Sequence, residues 1–344
     1  PTPVTQTKTK YITYQSQWYQ FRGTAFGLKQ STIQGSVSMR RLSRQQLQQL
    51  DNFFDLLLKE NAPELNVDMD DCEYLLRRFV FWSGAIQRQS RIPVSEEYRI
   101  LEQSVTLPDH NSFKIALPVV IKDASLAALS VVDQLVVKAI HEHADRAPTP
   151  MEIYERMNRI HDVLKNYAEQ GINNHLILIA ANRLDIPVTR LDKKVFVLGT
   201  GCHTRWMGST VTDRTSTFGA AIAQNKQFTA SLLRAMGLPG AQQIRVTSEQ
   251  EATRAAVKLG YPVVVKPADQ DRGRGVHADL RDSKAVARAF RDASKFSKNL
   301  LVEKWMEGFT HRLTIQEGTL IRLTKRIAGG VVGDGQNNIA ELVE

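Results

Sequence analysis

The residues best suited to chemistry lie in the last third of the chain, where a lysine ends an apolar run and a glycine-containing loop follows. Residues 261–267 (YPVVVKP) are typical of a buried strand that carries one lysine, Lys266, to its end. The loop 271–275 (DRGRG) comes next, and the alternation in residues 276–280 (VHADL) predicts a second strand. Backbone N–H groups at the tip of such a hairpin can surround an anion, and a lysine beside them adds a point charge. The segment therefore predicts a lid over nucleotide phosphates; a solvated hairpin with a chance Lys-Pro pair is the alternative.

Length and composition restrict the class of protein. A chain of 344 residues predicts two or three domains, and 42% hydrophobic with 24% charged residues is ordinary for a soluble globular protein. We find no uninterrupted apolar run of membrane-spanning length and no start that resembles a signal peptide. Two cysteines far apart in the sequence indicate a reducing compartment, so we expect a cytoplasmic protein without a membrane partner.

The charge balance favours anionic partners without identifying them. The formal net charge is +9 and the pI is about 9.5. The basic residues are dispersed, and no zinc-finger spacing or aromatic RNA-binding strand is present in the sequence. We therefore expect no nucleic-acid partner, although charge alone keeps nucleic-acid binding open as a third possibility.

The order of predicted elements divides the chain into three regions. Residues 1–110 predict a mixed α/β region, in which Ser43 starts a helix, and residues 111–194 predict a second α/β region. Residues 195–344 form the third region, and within it about 241–305 alternate strand and helix as an α+β module centred on the lysine-bearing hairpin.

Five motifs in this order carry a resemblance to a known family. They are Gln224-Asn225-Lys226, Val265-Lys266-Pro267, the loop 271–275, Val302-Glu303-Lys304-Trp305 and Gly333-Asp334-Gly335. Together they resemble the ATP-grasp superfamily of carboxylate–amine ligases, and most nearly the ATP-grasp segment of cyanophycin synthetase and its relatives. The resemblance runs from about residue 195 to residue 344 and is weak before it.

The resemblance implies a fold and an activity. The implied fold is α/β, built of α+β subdomains: an ATP-grasp fold preceded by an N-terminal α/β domain. The implied chemistry is ADP-forming ligation of a carboxylate to an amine through an acyl-phosphate, with ATP and Mg²⁺ as cofactors and an anionic amino acid or peptide as substrate. A homo-oligomer is left open. The alternative is a degenerate ATP-grasp protein that binds nucleotide or serves as a scaffold without ligase activity.

The resemblance also implies roles for individual residues. Arg312 and Arg326 align with basic residues near the transferred phosphate, although either could be a surface ion-pair partner of little energetic value. Trp305 could instead be a core aromatic residue, and Thr310 stands where related ligases usually place an acidic residue. The residues implied to bind ATP are Lys226, Lys266, Asp271, Arg272, Gly273, Arg274, Gly275, Val276, Glu303, Lys304, Trp305, Met306 and Thr310.

No residue of this sequence is assigned as a metal ligand. The resemblance implies that the acidic residues and the asparagine that hold Mg²⁺ follow the Gly333-Asp334-Gly335 element, beyond Glu344. Asp334 lies between two glycines, where a turn role is sufficient explanation.

Overall fold

The computed structural model describes residues 10–66, 68–142, 146–169, 171–192, 194–270, 273–327 and 329–343. The chain separates into two compact units, Pro1–Arg214 and Thr215–Glu344. Helices accompany antiparallel sheets in both units, which confirms the α/β class.

An antiparallel sheet forms one layer of the first unit. Its hydrogen-bonded order is β1-β3-β5-β4, and β2 pairs with β3 along the same edge as β1, because β5 occupies the opposite edge over the full length of β3. Alternate residues of β3, among them Ile33, Val37 and Met39, are buried in the core, as the period of a half-buried strand requires. The strands are β1 (Ile12–Tyr14), β2 (Tyr19–Phe21), β3 (Thr32–Arg40), β4 (Arg99–Leu107) and β5 (His110–Pro118).

Helices pack on this sheet through their apolar faces. Capping boxes start two of them, at Ser43 with Gln46 and at Thr149 with Glu152, and the helix start predicted at Ser43 is thereby confirmed. The helices are α1 (Arg44–Leu57), α2 (Asp71–Gln89), α3 (Lys122–Glu142) and α4 (Pro150–Leu164). By length and composition α3 could cross a membrane, but half of that stretch is buried inside the unit, which is the behaviour of a core helix.

A smaller sheet completes the first unit. The helix α5 (Ile172–Arg183) packs against it through Leu178 and Ala181, which contact Phe196 and Met207 in a separate core. The strands follow in chain order and are all antiparallel: β6 (Val188–Asp192), β7 (Val195–Leu198), β8 (Arg205–Gly208) and β9 (Val211–Thr212), with a 3₁₀ turn at Gly201–His203.

Strand pairing crosses both of the region boundaries expected from the sequence. Residues 110 and 111 belong to β5, which pairs with β3 and β4 on either side, so one sheet and one core span this point. The boundary at residue 195 separates β6 from β7, although Val188 pairs with Leu198 across it. Pairing between strands that are distant in the sequence cannot be read from local patterns. In the structure, the boundary between the two compact units lies between Arg214 and Thr215.

The second unit contains a sheet of order β10-β13-β11-β12, antiparallel throughout and covered on one face by two helices. Val263, Val265, Leu300 and Val302 point to that face and are buried against the helices. Its elements are α6 (Thr217–Gln224), α7 (Lys226–Ala235), β10 (Gln243–Val246), α8 (Glu249–Leu259), β11 (Val263–Pro267), β12 (His277–Leu280), α9 (Ser283–Ala293) and β13 (Leu300–Lys304). The strands β10 to β13 with α8 and α9 lie between residues 243 and 304, the stretch in which the sequence predicts an α+β module.

A separate hairpin follows this module. It consists of β14 (Thr310–Gln316) and β15 (Thr319–Arg326), and it turns at Glu317 and Gly318, both with positive φ. All residues of its strands are exposed except Thr324, which is half-buried. The described part of the chain ends with the short helix α10 (Ile339–Val343).

Candidate active site

Lys266 and Glu303 form an ion pair on the sheet of the second unit. In the antiparallel pairing of β11 with β13, Val264 stands opposite Glu303, so Lys266, two residues further, points to the same face as the glutamate. The Nζ–Oε2 distance is 2.6 Å, and each side chain is 18% exposed. This face is opposite to the one that carries Val263 and Val265 against the helices.

Lys226 reaches the base of the glycine-containing loop. It is the first residue of α7, which begins here because the Asn225 side chain accepts a hydrogen bond from the Phe228 N–H at 3.0 Å. The Lys226 ammonium donates to the carbonyl of Ala268 at 3.5 Å and to the carbonyl of Gln270. The structure therefore places this predicted phosphate contact beside the loop that follows β11.

A small polar cavity lies next to this lysine. Its volume is about 170 Å³. Two of its lining residues are bonded to each other, since the Arg245 guanidinium donates to the Asn299 side chain at 2.6 Å. Its lining residues are Gln224, Asn225, Gln227, Arg245, Ala268, Asp269 and Asn299.

The two glycines of the loop have different reasons to be glycine. Both have positive φ, 75° at Gly273 and 66° at Gly275. A Cβ at Gly275 would lie 3.0 Å from the Phe296 ring and 3.1 Å from Pro267, whereas one at Gly273 would meet nothing within 4 Å. Packing therefore requires glycine at position 275, whereas the backbone at Gly273 is open to solvent.

Other predicted loop residues give less information. Arg274 and Val276 are exposed, and the Val276 N–H donates to the Gly273 carbonyl at 3.2 Å. Asp271 and Arg272 lie outside the described residues.

The segment after β13 is bonded to the turn before β11. The Lys304 ammonium donates to the carbonyls of Gly260 at 2.8 Å and Tyr261 at 3.1 Å, and the Trp305 N–H donates to Pro262 at 3.1 Å. The Lys304 side chain is therefore engaged within the protein. Trp305 is half-buried and outside the hydrophobic core of this sheet, and Met306 is 68% exposed.

The remaining predicted residues lie on the hairpin formed by β14 and β15. Thr310 stands directly opposite Arg326, and Arg312 stands opposite Thr324, so all four side chains share one face. Arg322, opposite Thr314, shares this face too, and sequence reasoning did not single it out. The period-two patterns TxRxT at 310–314 and RxTxR at 322–326 would have found it.

Asp334 is engaged in its own turn. One carboxylate oxygen accepts from the backbone N–H groups of Gln336 at 3.0 Å and Asn337 at 2.9 Å, and the other accepts from the Asn337 side chain at 2.7 Å. These bonds, led by those from the backbone, lower the pKa of Asp334. The turn role expected from the sequence accounts for this residue.

Comparison with known proteins identifies the part of the chain that holds this site. Residues 222–319 match the family model described as an ATP-grasp domain. The matched stretch lies entirely within the second unit. The matched range includes Lys226, Lys266, the glycine loop, Glu303 and Arg312, so the predicted resemblance is confirmed for these positions.

Curated relatives named as synthetases and ligases match part of this chain. Cyanophycin synthetase of Trichormus variabilis is 29% identical over 203 residues, which are 58% of this chain and 22% of the relative. D-alanine–D-alanine ligase of Pseudomonas entomophila is 28% identical over 102 residues, 30% of this chain and 32% of the relative. This chain thus spans about a fifth of the length of the cyanophycin synthetases it matches.

Among solved structures, the bifunctional glutathione synthetase of Pasteurella multocida is similar with a TM-score of 0.35 and 20% identity. The likeness covers 64% of this chain and 32% of that one. The D-alanyl-alanine synthetase A of Vibrio cholerae has a TM-score of 0.28 at 22% identity.

ATP-grasp ligases use ATP and Mg²⁺. The residues of the matched range fit the phosphates of ATP better than they fit a magnesium ion. Two ammonium groups and an open positive-φ glycine lie around the end of β11, which suits phosphate oxygens. Over the described ranges, no group of three or more His, Cys, Asp or Glu side chains is placed to hold a metal ion. We therefore assign no residue of this chain to magnesium and derive no step through it.

Proposed function

We propose that the full-length protein is an ATP-dependent, ADP-forming carboxylate–amine ligase of the cytoplasm that acts through an acyl-phosphate on an amino-acid or peptide carboxylate. The observation that carries the proposal is the placement of Lys226 at the base of the glycine loop and of Lys266 near the end of the strand before it, within the range that matches the ATP-grasp domain. The ligase names of the curated relatives support the reaction class. An anionic substrate agrees with the net charge of +9.

The chemistry requires charge neutralisation and the exclusion of water. A carboxylate is a poor electrophile, and phosphorylation by ATP turns it into one with a good leaving group. In phosphoryl transfer, positioning and electrostatic stabilisation supply most of the catalysis. Lys226 and Lys266 would hold phosphate oxygens, and Arg312 and Arg326 would neutralise charge at the reacting group. The loop at Gly273 would exclude the water that hydrolyses an acyl-phosphate.

Glu303 has a second role in this scheme. Its carboxylate now accepts from Lys266 at 2.6 Å. In a nucleotide complex, the exocyclic amine of adenine could take the place of the lysine as a donor to Glu303, while Lys266 turns to a phosphate. Adenine would then replace Lys266 as the partner of Glu303, and a phosphate would replace Glu303 as the partner of Lys266.

A binding protein without catalysis is the second candidate. The observation that favours it is the absence, within the described ranges, of a carboxylate group suited to Mg²⁺. Such a protein would bind ATP and release no ADP.

Measuring ADP release separates the two functions. The full-length protein with ATP and Mg²⁺ should release ADP with at least one member of a panel of amino acids and acidic peptides, and Lys266→Ala should abolish that release. Lys295→Ala is the matched control, because this lysine is 70% exposed and pairs only with Asp292 in the same unit. ATP binding without ADP release from any acceptor would favour the binding protein, and no ATP binding would contradict both.

A further inference from the structure

Between residues 310–314 and 322–326, one face of the β14–β15 hairpin carries only arginine and threonine; Gln316, opposite Thr319, follows on this face beyond the bulge at Thr314. The three cross-strand pairs on it are Thr310 with Arg326, Arg312 with Thr324, and Thr314 with Arg322. Each arginine thus faces a threonine directly, and Arg312 lies diagonally between the other two. Diagonal neighbours in an antiparallel pair are about 7–8 Å apart at Cα, so the long side chains can reach a shared ligand.

These arginines have no acidic neighbour on their own hairpin face. Glu317, in the turn, is the one acidic residue in residues 309–327. Within the described ranges, the side chains of Arg312, Arg322 and Arg326 have no hydrogen bond or ion pair. Some other arginines are paired, as Arg88 is with Glu60 at 2.6 Å.

Three neighbouring guanidinium groups repel one another, and a bound anion relieves the part of this repulsion that solvent and salt do not already screen. Guanidinium presents a planar fork that matches a carboxylate or a phosphate with two parallel hydrogen bonds. The threonine hydroxyls between the arginines add further donors. The face therefore suits a ligand with more than one anionic group.

We propose that Arg322 determines substrate specificity by binding a second carboxylate of an acidic amino-acid or peptide substrate. The inference rests on the proposed function, in which Arg312 and Arg326 serve the reacting group. Arg322 is diagonal to Arg312 and about 14 Å along the strand from Arg326, at a rise of about 3.4 Å per residue. It is therefore placed for an anionic group next to the reacting one, as an acidic side chain would be.

The test compares substrates that differ by one charge. ADP release by the full-length protein is measured with aspartate against asparagine and glutamate against glutamine, free and as the ends of dipeptides. Arg322→Gln should lower the ratio of kcat/KM for acid over amide about tenfold, the effect of losing a charge-assisted hydrogen bond, with KM for ATP unchanged. Arg322→Lys should restore part of the ratio, because it keeps the charge without the fork.

Lys325→Gln is the matched control. Lys325 pairs with His311 on the opposite face of the same strand, and its ammonium lies 3.5 Å from the centroid of the Phe309 ring. The substitution removes the same charge three residues away and should leave the acid-over-amide ratio unchanged.

Several outcomes would overturn the inference. They are an unchanged ratio in Arg322→Gln, an equal loss with acid and amide, or a raised KM for ATP, which would assign the arginine to a phosphate. A fall in RNA affinity for Arg322→Gln but not for Lys325→Gln, with the ratio intact, would assign the arginine face to nucleic acid. If the wild type releases no ADP, the proposed function fails separately, and calorimetry with an aspartyl-aspartate dipeptide decides: binding that Arg322→Gln weakens supports the inference, and binding that it leaves intact contradicts it.

Discussion

The ion pair between Lys266 and Glu303 should stabilise the central strands of the second unit more than an exposed pair of the same geometry does. The perturbation is a double-mutant cycle of Lys266→Met, Glu303→Gln and the two combined. The pair has a distance of 2.6 Å with both side chains 18% exposed. Hydrogen bonds to charged groups with little exposure contribute about 1.5–3 kcal/mol, so we expect a coupling of about 2 kcal/mol.

The second unit offers a matched control pair. Arg291 and Glu249 are 2.8 Å apart, but their side chains are 57% and 43% exposed. Solvent screens such a pair, and couplings of about 0.2–1 kcal/mol are usual. The two cycles therefore compare nearly equal distances at different burial.

Native-state hydrogen exchange is the appropriate assay, because a chain of two units does not unfold in one transition. The opening free energies of amides in β11 and β13 report the first cycle, and those in α8 and α9 report the second. A coupling for Lys266 and Glu303 no larger than that for Arg291 and Glu249 would refute the reasoning from burial.

Two further predictions concern the loop and the first unit. Gly275→Ala should lower the melting temperature more than Gly273→Ala, because both strain a positive φ but only the former brings a Cβ to 3.0 Å from Phe296; equal shifts in thermal unfolding would contradict this. Burial raises the pKa of Glu169, opposed by Arg190 with its guanidinium 3.4 Å away, so the folded state takes up this proton more readily than the unfolded chain. Stability is thereby lost as pH rises from about 4.5 through the raised pKa, and urea unfolding from pH 4 to 7 should show Glu169→Gln without this loss; parallel pH profiles of variant and wild type would argue against it.

Local signals in the sequence predicted the elements of the second unit well. The apolar run before Lys266 acts over a few residues, and β11 lies where it predicts a strand. The alternation of strand and helix expected over about 241–305 is present as β10, α8, β11, β12, α9 and β13. Lys266 was singled out because it ends a predicted strand, whereas Lys226 was assigned through the resemblance to the ATP-grasp superfamily.

Long-range pairing could not be predicted in the same way. The contact between Lys266 and Glu303 depends on the register of two strands 37 residues apart, which no local pattern fixes. The single sheet across residue 110 was missed for the same reason, since β3 and β5 are distant in sequence. Arg322 could have been predicted, because the local pattern that it forms with Thr324 and Arg326 places all three side chains on one face of a strand.

The Lys266–Glu303 pair has a consequence for which ligands the second unit can discriminate. A ligand that offers only negative charge, such as inorganic tripolyphosphate, would draw the lysine away and leave a largely buried carboxylate without its cation, which costs free energy. A ligand that brings a donor for Glu303 together with an acceptor for Lys266 leaves neither group uncompensated. Cellular polyphosphates would then compete poorly with nucleotides, although both carry the same charged groups.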